Sequence, residues 1–211
     1  MIEAPPIIFV DRHLVVFDKP SGLLSVPGIG PEKADCVASR AAATVKGARI
    51  VHRLDRDTSG VILMARDADT HRELSRQFHD REVEKRYQAI VAGVVSGAEG
   101  LIDAPLGKDI ERPPRHRVDP SNGKAARTEW RVVERFVEPH RTRLEFRPET
   151  GRSHQLRVHA VQLGHPILGD DLYAPPEVVG MSDRLMLHAD WLRITHPASG
   201  KRVEFRSEVP F

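Results

Sequence analysis

The sequence has a single cysteine, Cys36, so no internal disulfide can form, and zinc sites built from paired cysteines are excluded. Aromatic residues make up only 5% of the chain, too few for a surface that stacks many rings. No window approaches the roughly 18 apolar residues that span a bilayer, and the N-terminal MIEAPPIIFVDRHLVVF has no basic stretch ahead of a long apolar run. A reducing compartment and a cytoplasmic protein are expected. Eleven histidines are present, yet none shows HExxH or a similar ligand spacing. His154, His159 and His165 are therefore expected as structural hydrogen-bonders, and no metal is expected. A Walker-type GxxxxGK[ST] is missing, and GIGPEK lacks the third glycine and preceding strand of a dinucleotide fingerprint. The HRLD tetrapeptide at 52–55 is not a kinase catalytic loop, because Leu54 interrupts His-Arg-Asp and no DFG triplet occurs.

What is present supports a folded chain. The 211 residues, 40% hydrophobic, can bury a sizeable core. Lys+Arg number 32 against 30 Asp+Glu, so the net charge of +2 announces no polyanionic partner by itself. The distribution is more informative. Residues 108–157 hold thirteen Lys or Arg against eight acids, a local surplus that is either a solvated face or a contact for an anion.

Residues 7–10 and 14–18 read as strands, followed by a Pro/Gly loop, DKPSGLLSVPGIGP. Within it VPGIGPEKA looks like the hairpin of helix-hairpin-helix modules, but Pro20 and Gly22 stand where that motif needs its first helix. The Ala-rich stretch 33–46 predicts a helix ended by Gly47, and 61–65 a strand placed just after the HRLD segment. Asp67 is positioned to cap a helix bearing Leu74 and Phe78 one turn apart, and 86–91 predicts a further strand. Residues 100–127, rich in Pro, Gly and Arg and weak in periodicity, predict a long excursion from the core that binds something. Strands are expected at 128–134, 142–147, 191–195 and 202–205. Ser153 is expected to cap a helix with Leu156, Ala160 and Leu163 on one face, Arg157 pointing away from that stripe, and Gly164 and Pro166 closing it. Many strands and few helices give an α+β fold, a mixed, mainly antiparallel sheet core with few flanking helices.

Three segments stand out together: VHRLDRDTSG at 51–60, KRYQA at 85–89 and TGRSHQLRVH at 150–159. HRLDRDTSG resembles the HRLDxxTSG signature of the RluA-type pseudouridine synthases. The resemblance continues through GHPILGD at 164–170 and the opening FDKPSGLLSVPG at 17–28, and so covers nearly the whole chain. It implies the catalytic-domain fold of that family, one catalytic domain over residues 1–211, and no S4-type RNA-binding domain ahead of it. It is similar to the short members, which modify stem-loops in large-subunit ribosomal RNA and transfer RNA anticodon arms. RNA is then the partner, with no obligate protein partner, and a monomer is expected.

The implied reaction breaks the uridine N1–C1′ bond and joins C5 to C1′. It involves no redox change, so no cofactor is expected. The resemblance assigns Asp55 as the catalytic carboxylate, Arg157 as its ion-pair partner and Tyr87 as the ring that stacks on the target base. A buried carboxylate stays ionised only with a cation nearby, which suits an arginine in that role. Arg53 lies two residues before Asp55, on the same face if the segment is extended, and is a candidate to fill the space left by an everted uridine. Arg112, Arg115, Arg117, Lys124 and Arg127 are the candidate contacts to the RNA backbone. An RNA-binding protein with a vestigial site is disfavoured, since Asp55, Tyr87 and Arg157 all stand within matched motifs. A metal-dependent nuclease would need clustered carboxylates.

Overall fold

The computed structural model describes residues 3–211. In chain order the first half forms β1 (Ile7–Val10), β2 (Leu14–Lys19), α1 (Val37–Thr44), β3 (Arg49–Ile50), β4 (Ser59–Ala65), α2 (Ala68–His79), β5 (Glu84–Ala92), β6 (Glu99–Asp103) and β7 (Leu106–Lys108). It continues with β8 (His116–Val118), β9 (Arg127–Phe136), β10 (Arg141–Pro148), α3 (Gln155–Gln162), α4 (Pro176–Val179), β11 (Leu187–Thr195) and β12 (Arg202–Arg206). The chain divides into two compact units, one containing the residues up to Lys85 with Ala189–Pro210, the other Arg86–His188 with Phe211. The α+β reading with a mainly antiparallel sheet core holds.

In the first unit β1, β2, β4 and β11 lie in that order, with β12 on β11 and β3 on β4. The β1/β2, β2/β4, β3/β4 and β11/β12 pairs are antiparallel. Alternation selects the core: Leu14 and Val16 of β2, Val61, Leu63 and Ala65 of β4, and Ile194 of β11 share a cluster with Leu74 of α2 and Phe205 of β12. All seven residues of β4 are buried, so both of its faces are covered. Gly60, the second residue of that strand, has φ 111°, and a Cβ there would stand 2.2 Å from the Ala189 carbonyl oxygen, so only glycine permits the approach of β11. Asp67 caps α2 as expected, its carboxylate accepting the Thr70 amide at 2.8 Å.

The Ala-rich stretch forms a shorter helix than 33–46. Residues 31–33 make a separate 3-10 turn, and α1 begins only after Cys36, which is extended at φ −160° and exchanges hydrogen bonds with Ser39 across the first turn. This reciprocal cap starts the helix late, and the extended Val45 ends it.

In the second unit the order is β5, β10, β9, β6, all antiparallel, with β7 and β8 forming a separate hairpin. The core joins Ala89, Val91, Leu144, Phe146, Trp130 and Ile102 of the sheet to Leu156 and Ala160 of α3, with Leu163 packed against them, which is the expected stripe. Two expectations are corrected here. The stretch 100–127 is no irregular excursion: it contains three strands, and Ile102, Ala104, Leu106 and Ala126 are buried. Its strands are too short, and too crowded by Pro, Gly and Arg, for periodicity to register. Nor does Ser153 cap α3. The N-cap is His154, in the left-handed region at φ 57°, with no side-chain cap. The turn is held by Gln155, whose Oε1 accepts from the Thr150 hydroxyl and the Arg152 amide, while its Nε2 donates to the Arg127 carbonyl and Thr128 Oγ1. Among the described residues no helix is long and apolar enough to cross a membrane.

Candidate active site

Asp55 lies in the irregular segment 51–58 between β3 and β4, in the first unit. Its neighbours are held through their backbone groups by side chains from elsewhere in the unit. Ser25, itself buried, accepts the Leu54 amide on its hydroxyl at 3.0 Å and donates that hydroxyl to the Leu54 carbonyl at 2.7 Å. On the other side the fully buried Lys19 donates from Nζ to the carbonyls of Arg56 and Thr58 at 2.7 Å each, and to that of Pro20 at 2.9 Å. Ser21 donates to the Asp57 carbonyl, and Arg56 pairs with the Asp57 carboxylate at 2.9 Å. The backbone of the residues flanking Asp55 is thus fixed while Asp55 itself is half-buried, and no described residue of its own unit engages its carboxylate. A chemical group held this way loses little entropy when it acts. Arg53 is exposed.

His52 anchors the start of the segment. Its Nε2 accepts the Leu63 amide of β4 at 2.9 Å, and its ring stacks on Phe78 of α2 at 4.7 Å between centroids. Burial, helped by the charge of Lys85, pushes its pKa down to about 3, so the imidazole is neutral with its proton on Nδ1.

Tyr87 and Arg157 belong to the second unit. Tyr87 stands opposite Phe146 in the β5/β10 register, half-buried against the core. Arg157 is 2% exposed and forms a bidentate pair with Asp170, Nε reaching Oδ2 at 2.9 Å and NH2 reaching Oδ1, while NH2 also meets Asp171 at 3.1 Å. Asp170 is fully buried, and its Oδ1 also accepts the amides of Leu172 and Tyr173 at 3.1 Å. This orients the guanidinium in a way that a lysine could not match. The Tyr173 ring lies under that guanidinium, 5.3 Å from Cζ to centroid.

The three histidines are hydrogen-bonders as expected: His154 to the Tyr173 hydroxyl at 2.7 Å, His159 to Thr128 Oγ1 and the Ala104 carbonyl, and His165 to the Ala92 carbonyl. Burial of His159 lowers its pKa.

The basic residues divide into two sorts. Arg112 pairs with the buried Asp109 at 3.0 Å, and Arg127 with Asp103 and Glu149 at 3.3 and 3.1 Å. Arg115, Arg117 and Lys124, on or beside the β7/β8 hairpin, have no carboxylate partner among the described residues. Sequence reasoning did not single out Lys19, Ser25, His52, Asp170 or Tyr173. A lysine closing a strand that opens on the apolar run LVVF was the available signal for the first of these.

Comparison with known proteins is consistent along the chain. A family model described as RNA pseudouridylate synthase matches residues 13–162, a range with residues from both units. The chain is 49% identical over 205 residues to the dual-specificity RNA pseudouridine synthase RluA of Escherichia coli (strain K12), covering 97% of this chain and 93% of that protein. It is 48% identical to the protein of that name from Yersinia pestis, covering 97% and 99%. Among solved structures it resembles human RNA pseudouridylate synthase domain containing 1, with a TM-score of 0.84 and 28% identity, covering 100% of this chain and 86% of that one.

Proposed function

This chain belongs to the RluA-type RNA pseudouridine synthases, isomerases that convert uridine in RNA to pseudouridine, and we propose that it acts through Asp55 on stem-loops of large-subunit ribosomal RNA, of the transfer RNA anticodon arm, or of both. The relatives from Escherichia coli and Yersinia pestis are dual-specificity enzymes, which supports two classes of substrate. The observation that carries the assignment of Asp55 is the bracing of its segment: buried Lys19 and Ser25 hold the peptides on either side, and the carboxylate is left for chemistry.

In the reaction N1–C1′ breaks, C5–C1′ forms, the C5 proton departs and N1 gains one. An ionised Asp55 assists by attacking C1′, by adding to C6 or by taking the C2′ proton, and each route places the same carboxylate beside the same ribose. By the family resemblance Arg157 is the cation that serves the reacting carboxylate. Its own orientation comes from Asp170. Tyr87 stacks on the uracil, which must leave the loop at a cost of about a few kcal/mol, and Arg53 fills the place it leaves. Arg115, Arg117 and Lys124, with Arg112 and Arg127 at the margins, contact phosphates, so affinity falls with salt. Residues 1–211 act as one catalytic domain, as a cytoplasmic monomer without a cofactor.

Separate stem-loop transcripts carrying tritium at uridine C5 test this reading, incubated in excess chelator. Release to water from both the ribosomal and the anticodon stem-loops is expected. Release from one alone would restrict the substrate class, and release from none would contradict the proposal.

A further inference from the structure

Tyr173 sits where two otherwise separate features of the second unit meet. Its phenol oxygen accepts the backbone amide of His116, the first residue of β8, at 2.8 Å, and lies 2.7 Å from Nδ1 of His154. Its own amide donates to Asp170 Oδ1 at 3.1 Å, and its ring carries the Arg157 guanidinium at 5.3 Å. The rings of His116 and His154 meet edge to face at 5.2 Å beside it. One side chain therefore touches the strand that bears Arg117 and follows Arg115, the turn that opens α3, and the ion pair that orients Arg157.

We propose that Tyr173 is a positioning residue that couples the basic β7/β8 hairpin to the Arg157–Asp170 pair, so that seating an RNA backbone on the hairpin and orienting Arg157 are one event. This rests on the reading of the chain as an RNA isomerase whose hairpin contacts phosphate. The phenol is suited to the task because its oxygen receives one hydrogen bond from a backbone and shares another with an imidazole, which fixes the ring plane under the guanidinium. The hairpin has a second attachment, since Leu106 and Ala126 pack with Val158 of α3 and with half-buried Val118 and Tyr173. Removing the hydroxyl should loosen the hairpin without releasing it from the fold.

Tyr173→Phe keeps the ring and removes both hydrogen bonds; Tyr173→Leu removes the ring as well. Single-turnover tritium release and RNA binding across a salt series read the difference. For Tyr173→Phe the expected result is roughly a fivefold weaker RNA affinity, as one hydrogen bond is worth. The salt slope should also be shallower by about one phosphate contact. The bound-state rate should also fall by roughly threefold, because the seated hairpin no longer helps orient Arg157. Tyr173→Leu should add a loss in that rate of roughly tenfold, since the guanidinium loses its platform. Tyr173→Phe melting lower but binding with wild-type affinity and slope would make the residue merely structural and overturn the coupling. A wild type that releases no tritium from any RNA would overturn the underlying reading as well, whereas an active wild type indistinguishable from Tyr173→Phe removes this inference alone.

Discussion

The two units hold their key side chains by opposite means. In the first, Asp55 is placed through its neighbours: a buried lysine and a buried serine bind backbone carbonyls and an amide, and the carboxylate itself takes no part in the bracing. In the second, Arg157 is placed through its own charge, gripped by a buried Asp170 that is pinned by two amides. The difference follows from what each group must do. A carboxylate that attacks or accepts a proton must keep its oxygens for the substrate, so its position is set through the backbone around it. A guanidinium whose task is to present charge keeps that charge while one edge is anchored.

The comparison can be broken most sharply at Asp170. Asp170→Ala leaves a buried guanidinium without its bidentate partner, and a loss of about 3–5 kcal/mol in denaturant unfolding is expected. A loss under about 1 kcal/mol would show that the arginine does not depend on that carboxylate. Lys19→Met tests the other unit. Three carbonyls lose their donor, so about 2–3 kcal/mol of stability should go, and the bound-state rate should fall more than RNA affinity because the displaced residue is Asp55. An unchanged rate in a folded Lys19→Met protein would sever the bracing from the chemistry.

The first unit also carries a pH signature. The pKa of His52 in the folded protein, about 3, lies below the ordinary 6.5, so below pH 6.5 the unfolded chain binds the proton that the folded protein refuses. This contribution to stability is complete above about pH 6.5 and is lost progressively as the pH falls toward 3, amounting to about 2 kcal/mol at pH 5. Unfolding measured from pH 7 to 5 should show that loss in wild type and not in His52→Gln. The smallest effect is expected at the hairpin. Arg115→Ala and Arg117→Ala should leave stability within about 0.5 kcal/mol and each reduce the salt slope of RNA binding by about one. An unchanged slope would take the hairpin out of the RNA contact.

Much of this was legible before any fold was known, and the reasons are local. The apolar runs of β2 and β4, the Asp67 cap of α2 and the Leu156/Ala160 stripe of α3 are set by neighbouring residues, and they appear where the pattern puts them. The late start of α1 escaped because a cysteine acting as a cap looks like any buried thiol. The strands within 100–127 escaped because their inward residues, such as Ile102 and Leu106, are separated by turn-forming residues that dominate a short window. At the site, Asp55, Tyr87 and Arg157 were named through motif resemblance, but the residues that hold them were not. Lys19 reaches Arg56 across 37 positions and Thr58 across 39, and Gln155 reaches Thr128 across 27, contacts that no periodicity encodes. Asp170 lies only 13 positions from Arg157, within GHPILGD, yet that run is too irregular for spacing alone to pair them.

The most direct test compares wild type with Asp55→Asn on C5-tritiated stem-loops in chelator, with RNA binding and thermal unfolding measured on the same preparations. The account predicts tritium release by wild type only, with Asp55→Asn still binding RNA and unfolding within about 0.5 kcal/mol of wild type, because no described residue of its unit depends on that carboxylate. Equal release by both proteins would contradict it.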